Sequence, residues 1–189
     1  FGAHYYRVPT PKPSEWENDF KNMKRHGFNM VEIWVMWRWS NPRIGKYYFE
    51  DIDILMDLAS KYNIKVNISP KYDSVPAWIF KKYPESRLMT IYKRPIGPEE
   101  FAARQIGGVG GACINHEKTM EIRMDFIEET VKRYRNHKAL YIWNSWGEPD
   151  LCHSLHRVVG EDYRNIEFLM CYCDSCQQAF KEWLKKKYK

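Results

Sequence analysis

Runs of residues typical of β-strands alternate with amphipathic helical segments along the 189 residues of this sequence. Strand character is found at Phe1 to Tyr6, Asn29 to Val35, Ile64 to Ile68 and Ala139 to Trp143. Pro70 is expected to close the third of these runs. Because helical segments separate the strands and hairpin signals are rare, the pattern predicts a parallel sheet with helices outside it.

The helical segments have recognisable ends and apolar faces. Pro13, Ser14 and Glu17 predict a capping box at the first helix, which Gly27 ends. Further helices are predicted at about 50 to 62, from 75 to 83, around 120 to 134 and from 176 to 188. Their apolar faces are formed by Ile52, Leu55, Met56 and Ala59, then by Met120, Met124, Ile127, Val131 and Tyr134, and finally by Phe180, Trp183 and Leu184.

Two architectures fit an α/β chain of this kind: an open doubly wound sheet, or part of a TIM (β/α)8 barrel. A nucleotide-binding doubly wound sheet has a glycine-rich loop after its first strand, but His4-Tyr5-Tyr6-Arg7 stands there. A full barrel takes about 250 residues. The four βα units of this chain therefore predict half of a barrel, as one domain over residues 1–189.

Composition excludes several classes of protein. Hydrophobic residues make up 44% and aromatic residues 16%, so the chain is not a disordered tail. Lysines of the last helix supply much of the net charge of +6, which is typical of a solvated face, so we expect no nucleic-acid partner. No apolar run approaches the roughly 18 residues that cross a bilayer, and we expect no membrane partner. The aromatic residues fit either core packing or sugar-stacking surfaces.

Three of the five cysteines, Cys171, Cys173 and Cys176, lie within six residues. Thiols at this spacing converge on one ion without strain, and tetrahedral zinc needs a fourth ligand. The candidates for that ligand are Cys113, Cys152, His153 and His156. Free or disulfide-paired cysteines are the alternative. A closed set of four ligands would make the zinc structural, and reduced thiols favour a cytoplasmic location.

Two further segments have functional character. The stretch from 84 to 112 reads as an irregular loop that is long for a compact domain, which favours a functional loop or lid. The second segment, Trp143-Asn144-Ser145-Trp146-Gly147-Glu148-Pro149, follows the fourth strand. Glu148 is therefore expected at the carboxyl end of the sheet, where barrel enzymes place their chemistry, and tryptophans beside it would favour the protonated acid. The alternative is that Glu148 only caps the following loop.

The order and spacing of these motifs resemble glycoside hydrolase family 42, the bacterial β-galactosidases. The resemblance runs over most of the chain, through motifs that stand in the order His4-Tyr5-Tyr6, Trp37 with Pro42, Gly45, Tyr47 and Phe49, Pro76-Ala77-Trp78, Lys82-Tyr83-Pro84-Glu85, Cys113 with Asn115, Glu148, Cys171-Tyr172-Cys173, and Phe180 through Trp183, Leu184 and Tyr188.

The resemblance implies an eight-stranded barrel that removes terminal β-galactosyl units with retention, in carbohydrate metabolism. It implies that Glu148 is the acid/base and that the nucleophile lies at the end of strand seven. Trp37, Asn144 and Trp146 are candidate substrate-binding residues, with simple packing as the alternative for the two tryptophans. The resemblance also implies that Cys113 joins Cys171, Cys173 and Cys176 as a zinc ligand, which leaves Cys152 as a free thiol. We therefore expect an N-terminal half barrel that is catalytically incomplete alone and whose sheet edges associate with the missing half or with a second copy.

The chain departs from the family pattern at two places. Gly147 stands where the family has an asparagine that contacts the sugar 2-hydroxyl, and Val109-Gly110-Gly111-Ala112 fills a stretch where the family has an arginine. Both changes remove sugar-binding polar groups. Two alternatives follow: a non-catalytic carbohydrate-binding or scaffold relative, and a clan relative that acts on a different glycoside.

Overall fold

The computed structural model describes residues 1–96, 112–145 and 171–189. The chain forms two compact units. The first comprises Phe1–Tyr72 and Phe126–Gly147, and the second comprises Asp73–Asp125 and Glu148–Lys189. In the described ranges, no helix is both long and apolar enough to cross a membrane.

Six strands and six helices are found in the described ranges. In chain order they are β1 (Gly2–Tyr6), α1 (Pro13–Arg25), β2 (Met30–Met36), α2 (Trp37–Ser40), α3 (Glu50–Lys61), β3 (Lys65–Lys71), α4 (Ala77–Lys82), β4 (Leu88–Met89), β5 (Pro95–Ile96), α5 (Glu117–Tyr134), β6 (Leu140–Trp143) and α6 (Asp174–Lys187).

The first unit is built on a parallel sheet with strand order β1-β2-β3-β6, which confirms the predicted parallel pairing. Side chains alternate between the two faces of each strand. Val31, Ile33 and Val35 of β2 are fully buried, as are Val66 and Ile68 of β3. The register pairs Glu32 with Asn67 and Trp34 with Ser69, so the opposite face is polar and aromatic.

The helices of the first unit cover the apolar face of the sheet. Helix α3 packs against α1 and β3. The expected inward face of α3 is confirmed, since Ile52, Leu55, Met56 and Ala59 are all buried. Burial of such side chains is the main driving force for forming this core.

The predicted capping box is wrong by two residues. Pro13 occupies the first helical position, where its missing N–H costs nothing, so Lys12 becomes the cap. The Glu15 carboxylate, and not that of Glu17, accepts the Lys12 backbone N–H at 2.9 Å. Glu17 instead accepts hydrogen bonds from Lys61 and Tyr62.

Strand β3 does not end before Pro70 but continues to Lys71, with Pro70 beside Val35 of β2. On its other side, the pairing of β3 with β6 stops at Ile68. Pro70 therefore lies beyond the last residue of β3 that pairs with β6, where no backbone N–H is needed for hydrogen bonding to that strand. Strands tolerate proline at such positions.

The buried stripe of α5 differs from the predicted one. Met124 is 54% exposed. The buried residues of the helix are Thr119, Arg123, Phe126, Thr130 and Tyr134. Their polar groups find main-chain partners: Thr130 donates to Phe126 O at 2.8 Å, and Arg123 donates to Ala112 O at 2.8 Å. These two hydrogen bonds lower the cost of burying Thr130 and Arg123, although Arg123 Nε is buried without a hydrogen-bond partner in the described part of the chain. Hydrophobicity alone therefore does not select the buried face.

In the second unit, the described part of the segment predicted as an irregular loop contains structure. A 3-10 turn at Pro84–Ser86 is followed by the antiparallel pair β4 and β5. Residues 97–111 lie outside the described ranges. Helix α6 begins at Asp174 rather than at Cys176, with Cys173 as its N-cap residue. Its predicted apolar face is largely exposed, with Phe180 at 56% and Trp183 at 48%.

Candidate metal centre and polar face of the sheet

Four cysteine sulfur atoms converge in the second unit. The Sγ atoms of Cys113, Cys171, Cys173 and Cys176 all lie within 4.8 Å of one another. Cys113 Sγ is 3.3 Å from both Cys176 Sγ and Cys173 Sγ. Zinc–sulfur bonds of about 2.3 Å in a tetrahedron place sulfur atoms roughly 3.8 Å apart, within this range. The structure thus brings Cys113 to the other three, while Cys152, His153 and His156 lie outside the described residues.

Main-chain hydrogen bonds hold Cys113 in place. Its N–H donates to Ser86 O at 2.7 Å, just after the bridge between Arg87 and Ala112. The Arg123 guanidinium donates to Ala112 O, and Thr119 Oγ1 lies 3.5 Å from Cys113 O. Residues in the first two turns of α5 therefore fix the backbone around Cys113.

The other three thiols are placed by the β4 strand and the start of α6. Tyr172 N–H donates to Met89 O at 3.0 Å, so the segment at 171–173 lies beside β4. Cys171 packs with Leu88 against buried Ile96. Cys173 is the N-cap residue of α6, and Cys176 lies in the first turn of that helix.

The thiols cannot all ionise without a positive charge nearby. The hydrogen bond with Cys171 and burial raise the pKa of the Cys113 thiol, while the Cys113 hydrogen bond lowers the pKa of Cys171 to about 5. Burial raises the pKa of Cys173 to about 11. A divalent cation would remove this conflict, because four thiolates are the preferred donors for tetrahedral zinc.

Three N–H groups point at the sulfur atoms, as expected around metal-bound thiolates. Asn115 donates its backbone N–H to Cys113 Sγ at 3.4 Å and its side-chain amide to Cys176 Sγ at 3.3 Å. Met89 N–H lies 3.4 Å from Cys171 Sγ. The residues present therefore fit a zinc ion with a closed ligand set.

A second polar cluster lies on the sheet of the first unit. The Glu32 carboxylate of β2 accepts hydrogen bonds from Trp34 Nε1 and Asn144 Nδ2, both at 3.0 Å, through the same oxygen. Its other oxygen is 3.1 Å from His4 Nδ1. The Glu32 side chain is only 13% exposed. One carboxylate thus joins β1, β2 and the end of β6.

Cations surround the Trp34 ring. Lys71 Nζ lies 4.2 Å from the ring centroid, the guanidinium of Arg7 lies 5.7 Å away, and His4 meets the ring edge-on. Cation–π attraction and the hydrogen bond to Glu32 therefore fix the orientation of Trp34.

The predicted substrate-binding residues are placed differently from one another. Trp37 is fully buried, stacks on Phe126 at 5.8 Å, and donates its indole N–H to Asn41 Oδ1. This placement argues against the sugar-stacking role suggested for Trp37 and favours core packing. Asn144 lies directly after β6 and belongs to the Glu32 cluster. Trp146 and the acid/base candidate Glu148 lie outside the described residues.

Sequence reasoning did not identify the partners of these two clusters. It left Glu32 without a role and used His4 and Asn115 only as motif residues. The available signal was strand parity: Glu32 is an acidic residue between Val31 and Ile33, on the face opposite the apolar one. Such a residue in a half-buried strand is expected to have partners on neighbouring strands.

Solved structures share this fold. A beta-galactosidase from the psychrophilic Marinomonas ef1 matches with a TM-score of 0.76 at 20% identity, over 99% of this chain and 25% of that one. A beta-galactosidase from Bacillus circulans sp. alkalophilus matches with a TM-score of 0.76 at 21% identity, over 100% of this chain and 24% of that one. The parallel sheet with alternating helices is thus part of a TIM barrel.

Curated relatives agree with the structural matches. A beta-galactosidase of Geobacillus kaustophilus is 29% identical over 191 residues, which cover 100% of this chain and 25% of the relative. One of Lactobacillus acidophilus is 27% identical over 190 residues, covering 100% and 24%. The chain spans about a quarter of the length of these relatives. The family model described as beta-galactosidase matches residues 5–189. This chain belongs to glycoside hydrolase family 42.

Proposed function

We propose that the protein containing this chain is a retaining glycoside hydrolase that acts on β-galactosides or related glycosides. The observation that carries the proposal is the family match over residues 5–189. Glu148 is the proposed acid/base, four residues beyond Asn144 at the end of β6. The polar cluster around Glu32 adds support, because it gives the same sheet a hydrogen-bonding face suited to sugars.

The proposed reaction has two steps. In the first, Glu148 donates its proton to the glycosidic oxygen as the bond from that oxygen to the anomeric carbon breaks, and a second carboxylate forms a bond to the same carbon. In the second step, Glu148 removes a proton from water as the water oxygen attacks the anomeric carbon and releases the carboxylate. The family places that second carboxylate at the end of strand seven.

A panel of nitrophenyl glycosides tests the activity, using the natural reading frame that contains this chain. We expect hydrolysis with retention, and Glu148→Ala should lower kcat by at least about 100-fold. Azide should restore turnover of Glu148→Ala by forming the β-glycosyl azide, because azide needs no general base. Glu121→Gln, at a surface ion pair with Lys118, is the matched control and should leave kcat unchanged.

Two results would redirect the proposal. Hydrolysis that survives Glu148→Ala unchanged would refute the acid/base role. Saturable sugar binding without hydrolysis of any glycoside in the panel would favour the non-catalytic carbohydrate-binding relative. Gly147 and the stretch Val109–Ala112 are the sequence features that agree with that alternative, because both lack sugar-binding polar groups of the family.

We also propose that Cys113, Cys171, Cys173 and Cys176 bind one structural Zn²⁺. The convergence of the four sulfur atoms within 4.8 Å supports this, and a closed set of four ligands leaves no position for a reacting water. Elemental analysis should return one zinc per chain. Because the site needs reduced thiols, we propose a cytoplasmic location for the protein.

The sheet edges suggest how the chain assembles. Among the described residues, β1 and β6 each pair with one neighbouring strand. We propose that both edges are completed by further barrel strands, from the same reading frame or from a second copy. Size measurement by light scattering on the natural protein distinguishes these two arrangements.

A further inference from the structure

We infer that Glu32 is a positioning residue that holds the Asn144 amide and thereby fixes the start of the segment leading to Glu148. The inference rests on the proposed function and deepens it. It assigns a role to an acidic residue of β2 that strand parity places among the polar groups of the sheet. Glu32 itself is not proposed to touch the substrate.

The hydrogen bonds of Asn144 define its orientation. Its backbone N–H donates to Ile68 O of β3 at 2.8 Å, and its side-chain Nδ2 donates to Glu32 Oε1 at 3.0 Å. Asn144 is thus attached to the backbone of the adjacent strand and to the carboxylate of the strand beyond it. The first residue after β6 is therefore fixed at both its main chain and its side chain.

The chemistry of the pair determines which way the amide points. An ionised carboxylate only accepts hydrogen bonds, so the NH₂ group of Asn144 must face Glu32. This orientation leaves the amide oxygen as an acceptor for another group. A sugar hydroxyl is a donor of the required kind, and Gly147 supplies no side-chain amide of its own.

Glu32 is itself held rigidly. Trp34 Nε1 shares the oxygen that Asn144 contacts, and His4 Nδ1 contacts the other oxygen. Nearby on the same face, Asn67 Oδ1 and Ser69 Oγ are buried and have no hydrogen-bond partner in the described part of the chain. Buried polar atoms without partners are costly, so this face has hydrogen-bonding capacity left for further groups.

A donor–acceptor swap tests the inference in the natural protein. Asn144→Asp places a second carboxylate beside that of Glu32, and the two repel each other. We expect kcat to fall about 30-fold to 100-fold because the following segment is misplaced. Glu32→Gln alone keeps an acceptor oxygen for Asn144 and should cost less than about five-fold. The double variant Glu32→Gln with Asn144→Asp removes the charge repulsion and turns an amide N–H toward the new carboxylate, but it gives up the Trp34 hydrogen bond to that same position. It should therefore recover most of the kcat lost in Asn144→Asp, to within about ten-fold of the parent.

His4→Ala is the comparison variant, because it removes a Glu32 partner that does not contact Asn144. His4 is 72% exposed and Trp34 still holds the carboxylate, so we expect a smaller loss of kcat than in Asn144→Asp. All assays are made well below the melting temperature of the least stable variant, so that a change in kcat does not report unfolding. Loss of kcat in His4→Ala equal to that in Asn144→Asp, or no recovery in the double variant, would overturn the inference.

Hydrogen exchange separates failure of the inference from failure of the proposed function. In Asn144→Asp, the amide of residue 144 should exchange about ten-fold faster, and the double variant should restore its protection. This readout applies even if the parent hydrolyses none of the glycosides, an outcome that would refute the proposed function only. Unchanged exchange in Asn144→Asp would overturn the inference whatever the activity.

Discussion

Different interactions stabilise the interior of each of the two units. In the first unit, two central parallel strands each present fully buried aliphatic residues, such as Ile33 and Ile68, to covering helices. In the second, β4 and β5 have two residues each, a small apolar cluster forms around Ile96, and Ile79 and Phe80 of α4 are also buried. Four thiols gather beside that cluster. Hydrophobic burial can therefore account for the first unit, whereas in the second we expect an ion bound by the thiols to add to a smaller apolar core.

Loss of the proposed zinc should produce the largest difference between the two units. Structural zinc supplies about 10–16 kcal/mol to zinc-finger peptides, so a bound ion would supply a large share of the stability of the second unit. We expect Cys173→Ser to lose zinc and to lose hydrogen-exchange protection at residues 84–96 and 171–189. Strands β2 and β3 should stay protected. Elemental analysis and exchange measured by mass spectrometry check both statements.

The control for that experiment is Cys152→Ser, which should retain one zinc per chain because Cys152 is the expected free thiol. Zinc-free protein with unchanged exchange in the second unit would contradict the comparison. It would mean that the thiols gather through packing alone.

A core substitution should produce the reverse pattern. Ile33 is fully buried in β2, and Ile33→Ala should lower the free energy of unfolding of the first unit by about 2–4 kcal/mol. Zinc content should stay at one per chain. Chemical denaturation followed by tryptophan fluorescence measures the loss. Ile54→Ala, at a position 51% exposed on α3, should cost less than about 1 kcal/mol.

The contrast also explains which features the sequence could predict. The order of strands and helices follows from local periodicity, and the α3 face at Leu55 and Met56 followed directly from it. Of the predicted α5 face, Tyr134 is buried, but the burial of Thr119, Arg123 and Thr130 depends on main-chain acceptors that a periodicity pattern does not reveal.

The candidate site divides in the same way. Close spacing predicted that Cys171, Cys173 and Cys176 converge, but only the family resemblance selected Cys113, whose approach depends on the bridge at Arg87 and Ala112. Core packing of Trp37 was an open alternative in the sequence, but its partner Phe126, on a distant helix, could not be anticipated. Local sequence patterns therefore do not predict contacts between residues that are far apart in the sequence.

Asn115 should have an intermediate effect that is confined to the second unit. Its two N–H groups donate to Cys113 and Cys176, and outer partners of this kind are worth about 10-fold to 100-fold in metal affinity. Asn115→Ala removes the side-chain donor only, so we expect zinc affinity to fall about ten-fold with the backbone donor retained. Competition with a chromogenic chelator measures the affinity. Ile114→Ala, at the exposed neighbouring position, should leave it unchanged.

The smallest expected effect belongs to the first unit and depends on pH. Arg133 Nε donates to the Asp53 carboxylate at 2.7 Å, and Tyr134 donates to the same group at 2.9 Å. Burial opposes ionisation of Asp53, but the hydrogen bonds from Arg133 and Tyr134 outweigh it and lower the pKa of Asp53. A lowered pKa means that the folded state releases the proton more readily. The stabilisation that this interaction gives the folded state is therefore present above the ordinary aspartate pKa near 4. It is lost as the pH falls through the lower pKa that Asp53 has in the folded state.

Because the Arg133 side chain is 47% exposed and that of Asp53 33%, solvent screens the pair, and Arg133→Met should cost about 0.5–1 kcal/mol at pH 7. The difference in unfolding free energy between parent and variant should shrink as the pH is lowered from 6 toward 3, since protonation of Asp53 removes the same ion pair in the parent. Lys132→Met, at the exposed pairs with Glu128 and Glu129, should be nearly neutral. A penalty for Arg133→Met that stays constant down to the acid range would assign the effect to packing of the arginine stem over Phe49, from which its guanidinium lies 5.6 Å, rather than to charge.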